Sequence, residues 1–298
     1  MRWAEILIEI PAESSEATTA ILLDAGCPGT AETGDDPRVI RAFLPVLDDL
    51  EPRLEAIEDR LAELPAFGLS APLEMTLKYA DEADWANEWR KHFKPMEIGK
   101  RLVIKPTWEV YEGDPSRVVV ELDPGMAFGT GSHPTTRLCL EILEELVRPG
   151  DVVADIGTGS GILALAAGRL GAARVHATDI DSLPRKIARQ NVEANRLEDV
   201  VLVHEMEDFD AAARDCDIVV ANIIASTILD LLPTIAPRLK PGAAFIGSGI
   251  VAERLDEVAA RIAEVGLELV EVREFEVWRL VRALRPAQSH SAPMVAKG

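Results

Sequence analysis

Hydrophobic and polar residues repeat with two different periods along the first 79 residues of the chain. Alternation with a period of two predicts three strands: "RWAEILIEI" (2–10), "RVIRAFLPV" (38–46) and "LEMTLKY" (73–79). A helical period predicts two helices: "SSEATTAILLDAGC" (14–27), opened by a serine cap, and "LDDLEPRLEAIEDRLAELP" (47–65). A short strand at "GTAET" (29–33) would complete the order strand, helix, strand, strand, helix, strand.

This βαββαβ order is that of the ferredoxin-like split unit, so we expect residues 1–77 to form a small α+β domain. The segment holds 16 Asp and Glu against 5 Arg and no Lys, a net charge of −11. Two interpretations stay open for that charge. It either keeps an accessory domain solvated, or it forms a docking surface for a positively charged protein.

A predicted linker helix follows at residues 78–95. In "DEADWANEWRKHFKP" the aromatic residues Trp85, Trp89 and Phe93 recur every fourth position, and Pro95 ends the helix. Aromatic residues at this spacing indicate packing between domains rather than a cofactor site.

From residue 96 onward, short β-branched strands alternate with helical segments. The strands are "DVVADIG" (151–157), "ARVHATDID" (173–181), "DIVVANII" (217–224) and "AAFIGSGI" (243–250). Such alternation predicts a doubly wound α/β domain over residues 96–284, with a parallel sheet whose ligands bind beyond the carboxyl ends of the strands. Residues 285–298 lose the periodicity and are expected to be a disordered tail.

Composition narrows the classes of function. The chain of 298 residues is 48% hydrophobic, so it can bury a sizeable core, yet no run is long enough for a membrane span. The N-terminus lacks a signal-peptide pattern, and the three cysteines stand far apart, which indicates reduced thiols in a cytoplasmic protein without a metal site. The net charge of −20 argues against nucleic acid as the main partner.

Three glycines alternate in "DIGTGSGILA" (155–164), immediately after a predicted strand. A dinucleotide-binding GxGxxG loop would need its third glycine at residue 162, where Ile162 stands. No Lys-Ser/Thr pair follows, which excludes a P-loop. The spacing Asp-x-Gly-x-Gly-x-Gly instead resembles motif I of the S-adenosylmethionine-dependent methyltransferases. That resemblance implies a loop passing under the methionine and ribose of the cofactor.

Two further polar residues stand at predicted strand ends. Asp179 comes 22 residues after Gly157, where a carboxylate can accept hydrogen bonds from both ribose hydroxyls. Asp181 is its rival, but it lies deeper in the loop and is expected to cap a helix or to be solvated. Asn222 ends "DIVVAN", where methyltransferases that act on amines place a polar side chain beside the transferable methyl group.

Among the candidate cofactor-binding motifs of this chain, the stretch "DPGMAFGTGSHPTTRLCLEIL" (123–143) is the most specific. Pro134 is expected to start a helix, so Thr135 and Thr136 lie at an N-terminus that can hold a carboxylate. Such a carboxylate is present at the amino-acid end of S-adenosylmethionine. His133 is either a catalytic base or a loop histidine that orders the turn or caps this helix, and the second role is the more frequent one.

Taken together, "AFGTGSHPTT", "DIGTGSGILALAA", "TDID" and "VVANIIA" resemble the PrmA family, whose members methylate protein eleven of the large ribosomal subunit. The resemblance spans residues 1–283. It implies a ferredoxin-like substrate-recognition domain, a linker helix and a Rossmann-like catalytic domain that binds S-adenosyl-L-methionine. The cofactor contacts that it implies are Thr136, Gly157, Asp179 and Asn222, to which we add Gly159, Phe128 and Gly129. We expect Asn222 to be the catalytic residue.

The implied activity is methylation of lysine side chains and of the N-terminal amine in a basic ribosomal protein, which would dock on the acidic first domain. The motif "NIIA" lacks the prolines and the aromatic residue of methyltransferases that act on DNA amino groups, which argues against a nucleobase target. Two alternatives remain open. One is a lysine methyltransferase acting on another protein, and the other is a non-catalytic factor that binds ribosomes.

Overall fold

The computed structural model describes residues 2–27, 29–46, 50–81, 94–123, 131 and 133–287. The chain divides into two compact units, Met1–Phe93 and Lys94–Gly298. None of the described helices is long and apolar enough to span a membrane.

The first unit is a four-stranded antiparallel sheet with two helices. The elements, in chain order, are β1 (Arg2–Ile10), α1 (Ser15–Asp24), β2 (Thr30–Thr33), β3 (Arg38–Pro45), α2 (Leu50–Glu63) and β4 (Glu74–Asp81). The strand order is β2-β3-β1-β4, and each neighbouring pair is antiparallel. This is the topology of the split unit that the sequence predicts, including the short strand at Thr30–Thr33.

The core of this unit follows from the period of two. Even-numbered residues of β1, such as Ile6 and Ile8, are buried together with Ile40 and Leu44 of β3. On α2, Leu54, Ile57 and Leu61 recur every three or four residues and complete the same core.

The second unit begins with a small three-stranded sheet, which the sequence analysis did not single out. Its strands are β5 (Met96–Ile98), β6 (Leu102–Lys105) and β7 (Val118–Glu121), paired in that order. The next described helix, α3 (Pro134–Leu146), begins at the predicted proline.

The large sheet has seven strands: β8 (Val152–Ile156), β9 (Arg174–Thr178), β10 (Val201–His204), β11 (Cys216–Asn222), β12 (Leu239–Val251), β13 (Glu268–Phe275) and β14 (Trp278–Leu284). Their order is β10-β9-β8-β11-β12-β14-β13. The five strands from β10 to β12 are parallel, and all of them except β10 were predicted from the sequence. Strand β14 runs antiparallel to β12, and β13 runs antiparallel to β14, so β14 alone among the seven strands is reversed in the predicted parallel sheet.

The remaining helices are α4 (Ile162–Leu170), α5 (Ser182–Ala194), α6 (Met206–Ala212), α7 (Ala225–Ile235) and α8 (Leu255–Glu264). Helices cover both faces of the large sheet. In β11, Ile218 and Val220 enter one core with α3 and α4, whereas Val219 and Ala221 enter the other with α7 and α8. A strand that is buried on both faces is apolar without alternation, which explains its sequence.

Two predicted boundaries need correction. Strand β4 extends to Asp81, so residues 78–81 are strand rather than the start of a linker helix; the rest of that helix, with Trp85, Trp89 and Phe93, lies outside the described residues. Arg285 is also ordered by backbone hydrogen bonds to Gly242 and Ala243, and so does not belong to a tail. Residues 288–298 lie outside the described residues.

Candidate functional site

Three residues predicted from the sequence meet at the carboxyl edge of the large sheet. Ile156 of β8 pairs with Thr178 of β9 on one side and with Ala221 of β11 on the other. Gly157, Asp179 and Asn222 each follow directly on these paired residues, so they lie next to one another. Strand order reverses on either side of β8, which makes this edge the crevice where open α/β sheets bind their ligands.

The loop after β8 adopts a backbone that only glycine accepts readily. Gly157, Gly159 and Gly161 have φ angles of 76°, 54° and 87°, in the left-handed region. A Cβ atom on Gly157 would lie 2.4 Å from Cγ2 of Ile223, and one on Gly161 would lie 3.2 Å from Cβ of Ala188. Gly157 and Gly161 thus serve a sharp turn and close packing. Gly157 and Gly159 place no side chain between the loop and a ligand, although their N–H groups already donate to the carbonyl of Thr178 and to Asp179.

Asp155, the first residue of the glycine motif, is fully buried beneath this loop. Its Oδ2 accepts hydrogen bonds from Oγ1 of Thr158 (2.7 Å) and from the N–H of Ala164 (3.2 Å), while Oδ1 has no partner among the described residues. Burial raises the pKa of Asp155 to about 7, although these two hydrogen bonds lower it. Asp155 opens the glycine motif, but its sequence context did not predict it as a site residue.

Asp179 faces the glycine loop. Its Oδ2 accepts from the N–H of Gly159 at 3.0 Å, and its Oδ1 accepts from the N–H of Asp181 at 3.2 Å. Asp181 occupies the cap position of α5 but is exposed and makes no side-chain cap bond. Of the two acids, Asp179 is therefore the one placed against the loop.

Asn222 and Thr136 come together although they belong to separate motifs. Nδ2 of Asn222 donates a hydrogen bond to Oγ1 of the buried Thr136 over 3.2 Å. Next to them, Gly249 has a φ of 84°, and a Cβ there would lie 2.4 Å from the carbonyl oxygen of Ile223. The turn that carries Asn222 thus rests on a second glycine, one that the sequence analysis did not single out.

His133 caps helix α3. Its Nδ1 accepts from the N–H of Thr135 at 3.4 Å and lies 2.8 Å from Oγ1 of the same residue, while burial lowers the pKa of its imidazole. The ring also packs edge-on against Trp278, with 5.1 Å between centroids. This geometry supports the capping role. Pro134 has no N–H group, and the N–H of Thr135 donates to the cap. The N–H of Thr136, also in the first turn of α3, has no acceptor among the described residues.

Two predicted cofactor contacts, Phe128 and Gly129, lie outside the described residues. Ile180, 81% exposed, directly follows Asp179, and Ile224, 67% exposed, lies two residues after Asn222. Within the described part of the chain, no group of three or more His, Cys, Asp or Glu could hold a metal ion.

Comparison with known proteins shows the family of the chain. The model of the family described as ribosomal protein L11 methyltransferase (PrmA) matches residues 2–285. The chain belongs to the PrmA family. A ribosomal protein L11 methyltransferase of Caldanaerobacter subterraneus subsp. tengcongensis is 38% identical over 93% of this chain and 97% of its own. One from Desulforamulus reducens is 42% identical over 80% of this chain and 77% of its own.

A solved structure gives the same result. The ribosomal protein L11 methylase of Lactobacillus delbrueckii subsp. bulgaricus matches with a TM-score of 0.60 and 32% identity, over 65% of this chain and 100% of its own. The resemblance stated from the sequence is confirmed, and the Rossmann-like α/β class of the second unit with it.

The site's own residues fit S-adenosyl-L-methionine. The cofactor carries an ammonium group, a sulfonium, a carboxylate and a ribose diol. Asp155 offers a buried carboxylate oxygen without a partner, and Asp179 offers a second carboxylate at a strand end. The first turn of α3 offers the N–H of Thr136 to a carboxylate. The site thus offers carboxylates, which suit the cationic groups and the ribose diol of the cofactor, and an N–H group, which suits its carboxylate.

Proposed function

We propose that this chain is an S-adenosylmethionine-dependent protein N-methyltransferase that methylates lysine and N-terminal amines of ribosomal protein L11. The observation that carries the proposal is the meeting of Gly157, Asp179, Thr136 and Asn222 at one edge of the sheet, in a chain of the PrmA family. The substrate is inferred from the relatives, which are named ribosomal protein L11 methyltransferases.

In this proposal Thr136, Asp155, Gly157 and Asp179 hold the cofactor. Gly157 and Gly159 present no side chain to it, Asp179 faces its ribose, and Asp155, in its ionised form, supplies a negative charge beneath it. When bound, S-adenosylmethionine supplies a methyl group on a sulfonium that is already a strong electrophile.

Asn222 orients the amine that is methylated. Its Nδ2 is engaged by Thr136, so the carboxamide oxygen is the atom that can accept a hydrogen bond from the amine. A lysine amine has a pKa of about 10.4 and must lose a proton, to water or a weak acceptor, before its lone pair can attack. Holding reactants in attack geometry can lower a barrier by about 7 to 11 kcal/mol, so positioning supplies most of the catalysis.

The first unit is proposed to dock the basic substrate. Of the two basic residues of helix α2, only Arg60 is exposed. The helix exposes five acidic side chains: Glu51, Glu55, Glu58, Asp59 and Glu63. Arg60 pairs with Asp24, and Arg53 turns inward to donate to the carbonyl of Ala25. The surface of α2 therefore attracts a positively charged protein such as a ribosomal protein.

The test is methyl transfer itself. The protein is incubated with radiolabelled S-adenosylmethionine and either purified L11 or total ribosomal proteins, and labelled amines are located by mass spectrometry. We expect label on lysine and N-terminal amines of L11. Label on a different protein would show that this protein, and not L11, is the substrate. Binding of S-adenosylmethionine without methyl transfer to any ribosomal protein would favour a non-catalytic factor.

A further inference from the structure

Arg185 in the first turn of α5 joins the loops that follow two neighbouring strands. Its Nη1 donates to the carbonyl oxygens of Asp179 (2.6 Å) and Ile180 (3.0 Å), after β9. Its Nη2 lies 2.5 Å from Oε2 of Glu205, directly after β10. The arginine side chain is 11% exposed, and a charge removed from water to this extent stays in place only while its partners hold it. Arg185 therefore sets the separation of the two loops.

Asn191, further along α5, joins a different pair of segments. Its Nδ2 donates to the carbonyl of Ser160, inside the glycine loop, at 2.8 Å. Its Oδ1 accepts from the N–H of Asp123, just after β7, at 3.2 Å. The side chain is buried, and its carboxamide donates with the nitrogen and accepts with the oxygen, which an isosteric Leu cannot do. Asn191 thus ties the glycine loop to the segment that leaves β7.

A matched residue lies four positions after each of these along the chain. Arg189 donates to the carbonyl of Val203 and to Glu205, so it contacts only the β10 side. Asn195 directly follows the last residue of α5; its Oδ1 accepts from the backbone N–H of Glu121 at 3.0 Å, and its Nδ2 donates to the carbonyl of Glu121 at 2.6 Å. Neither Arg189 nor Asn195 makes a described hydrogen bond to the glycine loop or to the loop after β9.

We propose that Arg185 and Asn191 are positioning residues of the cofactor site, an inference that rests on the proposed function. Arg185 holds the backbone on which the carboxylate of Asp179 is mounted, and Asn191 holds the backbone of the glycine loop. Both act through other residues rather than by contact with the cofactor. Because they arrange the site before binding, their loss weakens affinity more than it slows turnover at saturation.

The experiment compares bridging and matched variants of the full chain: Arg185→Met with Arg189→Met, and Asn191→Leu with Asn195→Leu. Calorimetry measures the dissociation constants of S-adenosylhomocysteine and of 5′-methylthioadenosine, which keeps the nucleoside but lacks the amino acid. We expect Arg185→Met to weaken both ligands by about tenfold or more, since both carry the nucleoside, and Arg189→Met to change them less than about threefold. Asn191→Leu should weaken S-adenosylhomocysteine by about tenfold, and Asn195→Leu should not.

Kinetics separate positioning from general damage. The bridging variants should raise the KM for S-adenosylmethionine and leave kcat at saturation near that of the wild type. Circular dichroism confirms folding at the assay temperature. If Arg185→Met does not fold, Arg185→Lys replaces it, because an ammonium can bond one carbonyl but cannot span both loops; it should retain part of the affinity.

The outcomes are distinct. A wild-type chain that binds neither ligand would overturn the proposed function and this inference with it. Normal wild-type binding with unchanged affinity in both bridging variants would overturn the positioning role alone. Equal losses in the bridging and matched variants would also overturn it, because the effect would then belong to the stability of α5.

Discussion

Nδ2 of Asn222 donates a hydrogen bond of 3.2 Å to Oγ1 of Thr136, across 86 positions of sequence. The bond connects the end of β11 with the first turn of α3. Thr136 is buried and Asn222 half-buried, so the threonine acts as the fixed partner. The bond thereby holds the orientation of the carboxamide whose oxygen is proposed to accept a hydrogen bond from the substrate amine.

Replacing Asn222 with Ala should lower kcat more than it weakens cofactor binding, since an interaction with the reacting amine is lost. A hydrogen bond worth about 1.5 to 3 kcal/mol corresponds to roughly a tenfold to hundredfold loss in kcat. Steady-state kinetics on L11, with calorimetry of S-adenosylmethionine binding, checks this. Turnover near that of the wild type at saturating cofactor and substrate would remove Asn222 from the reacting centre.

Substitution of Thr136 tests whether orientation of the carboxamide matters. Thr136→Val removes the hydroxyl at nearly constant volume, so Asn222 can rotate and kcat should fall by about tenfold. Thr136→Ser keeps the hydroxyl and should retain most of the activity. Equal kcat values in the two variants would show that the hydrogen bond is not used.

Replacing Asp179 with Ala should weaken S-adenosylmethionine binding by about 1.5 to 3 kcal/mol, the usual contribution of hydrogen bonds to a charged group. Calorimetry should then report a dissociation constant roughly tenfold to a hundredfold higher. Asp181→Ala is the matched control, because that carboxylate is exposed two residues further on. An unchanged constant for Asp179→Ala, or an equal change in the control, would remove Asp179 from the ribose site.

Asp155 should make cofactor binding depend on pH near neutrality. Burial raises its pKa to about 7, so the free protein is protonated below that pH and loses the charge that a cationic cofactor favours. Affinity for S-adenosylmethionine should fall as the pH decreases below about 7, by at most about tenfold per pH unit. Asp155→Asn should abolish this dependence; the same slope in the variant would assign it to another group.

The same residue should affect the free energy of unfolding. A carboxyl whose pKa is raised by folding contributes stability below its ordinary pKa, and that contribution is lost as the pH rises to about 7. The stability of Asp155→Asn relative to the wild type should therefore increase between about pH 4 and pH 7, by up to about 4 kcal/mol for a shift of about 3 pKa units. Urea titrations across this range measure it, and a difference independent of pH would contradict the raised pKa.

The sequence predicts those parts of the site that depend on backbone geometry. These features are visible in short stretches of sequence: alternating glycines, the ends of apolar strands and a proline that starts a helix. They predicted Gly157, Asp179, Asn222 and Thr136 as site residues. The residues it did not predict act through tertiary contacts. Arg185 is an ordinary helical arginine until β9 and β10 bring two loops to it.

The same distinction applies to the fold. Strands β8, β11 and β12 are apolar runs that the pattern reveals, because each contributes to the cores on both faces of the sheet, whereas β9 contributes Val175 and Ala177 to one core. The edge strand β13 carries exposed charged residues between apolar ones, and its pattern does not indicate that β14 enters between β12 and β13 and runs antiparallel to both. Pairing direction depends on connection length and on neighbouring strands, which the local pattern does not contain.

Neutralising acidic residues on α2 should slow encounter with L11 without affecting the cofactor site. The triple variant Glu55→Gln, Glu58→Gln and Asp59→Asn should lower kcat/KM for L11 and leave S-adenosylmethionine affinity unchanged, because complementary charge mainly accelerates association. The matched control neutralises three exposed acids at the start of α8: Glu253, Asp256 and Glu257. An equal loss in both would assign the effect to net charge rather than to α2.

Salt gives the independent measurement for this surface. The Debye length falls from about 10 Å at 0.1 M to about 3 Å at 1 M, so salt should lower the wild-type kcat/KM steeply and that of the α2 variant much less. Methylation of a free lysine analogue needs no docking and should depend on salt only weakly in both proteins. If the α2 variant kept the wild-type salt dependence on L11, the attraction would arise elsewhere, and the charge of α2 would serve only solvation.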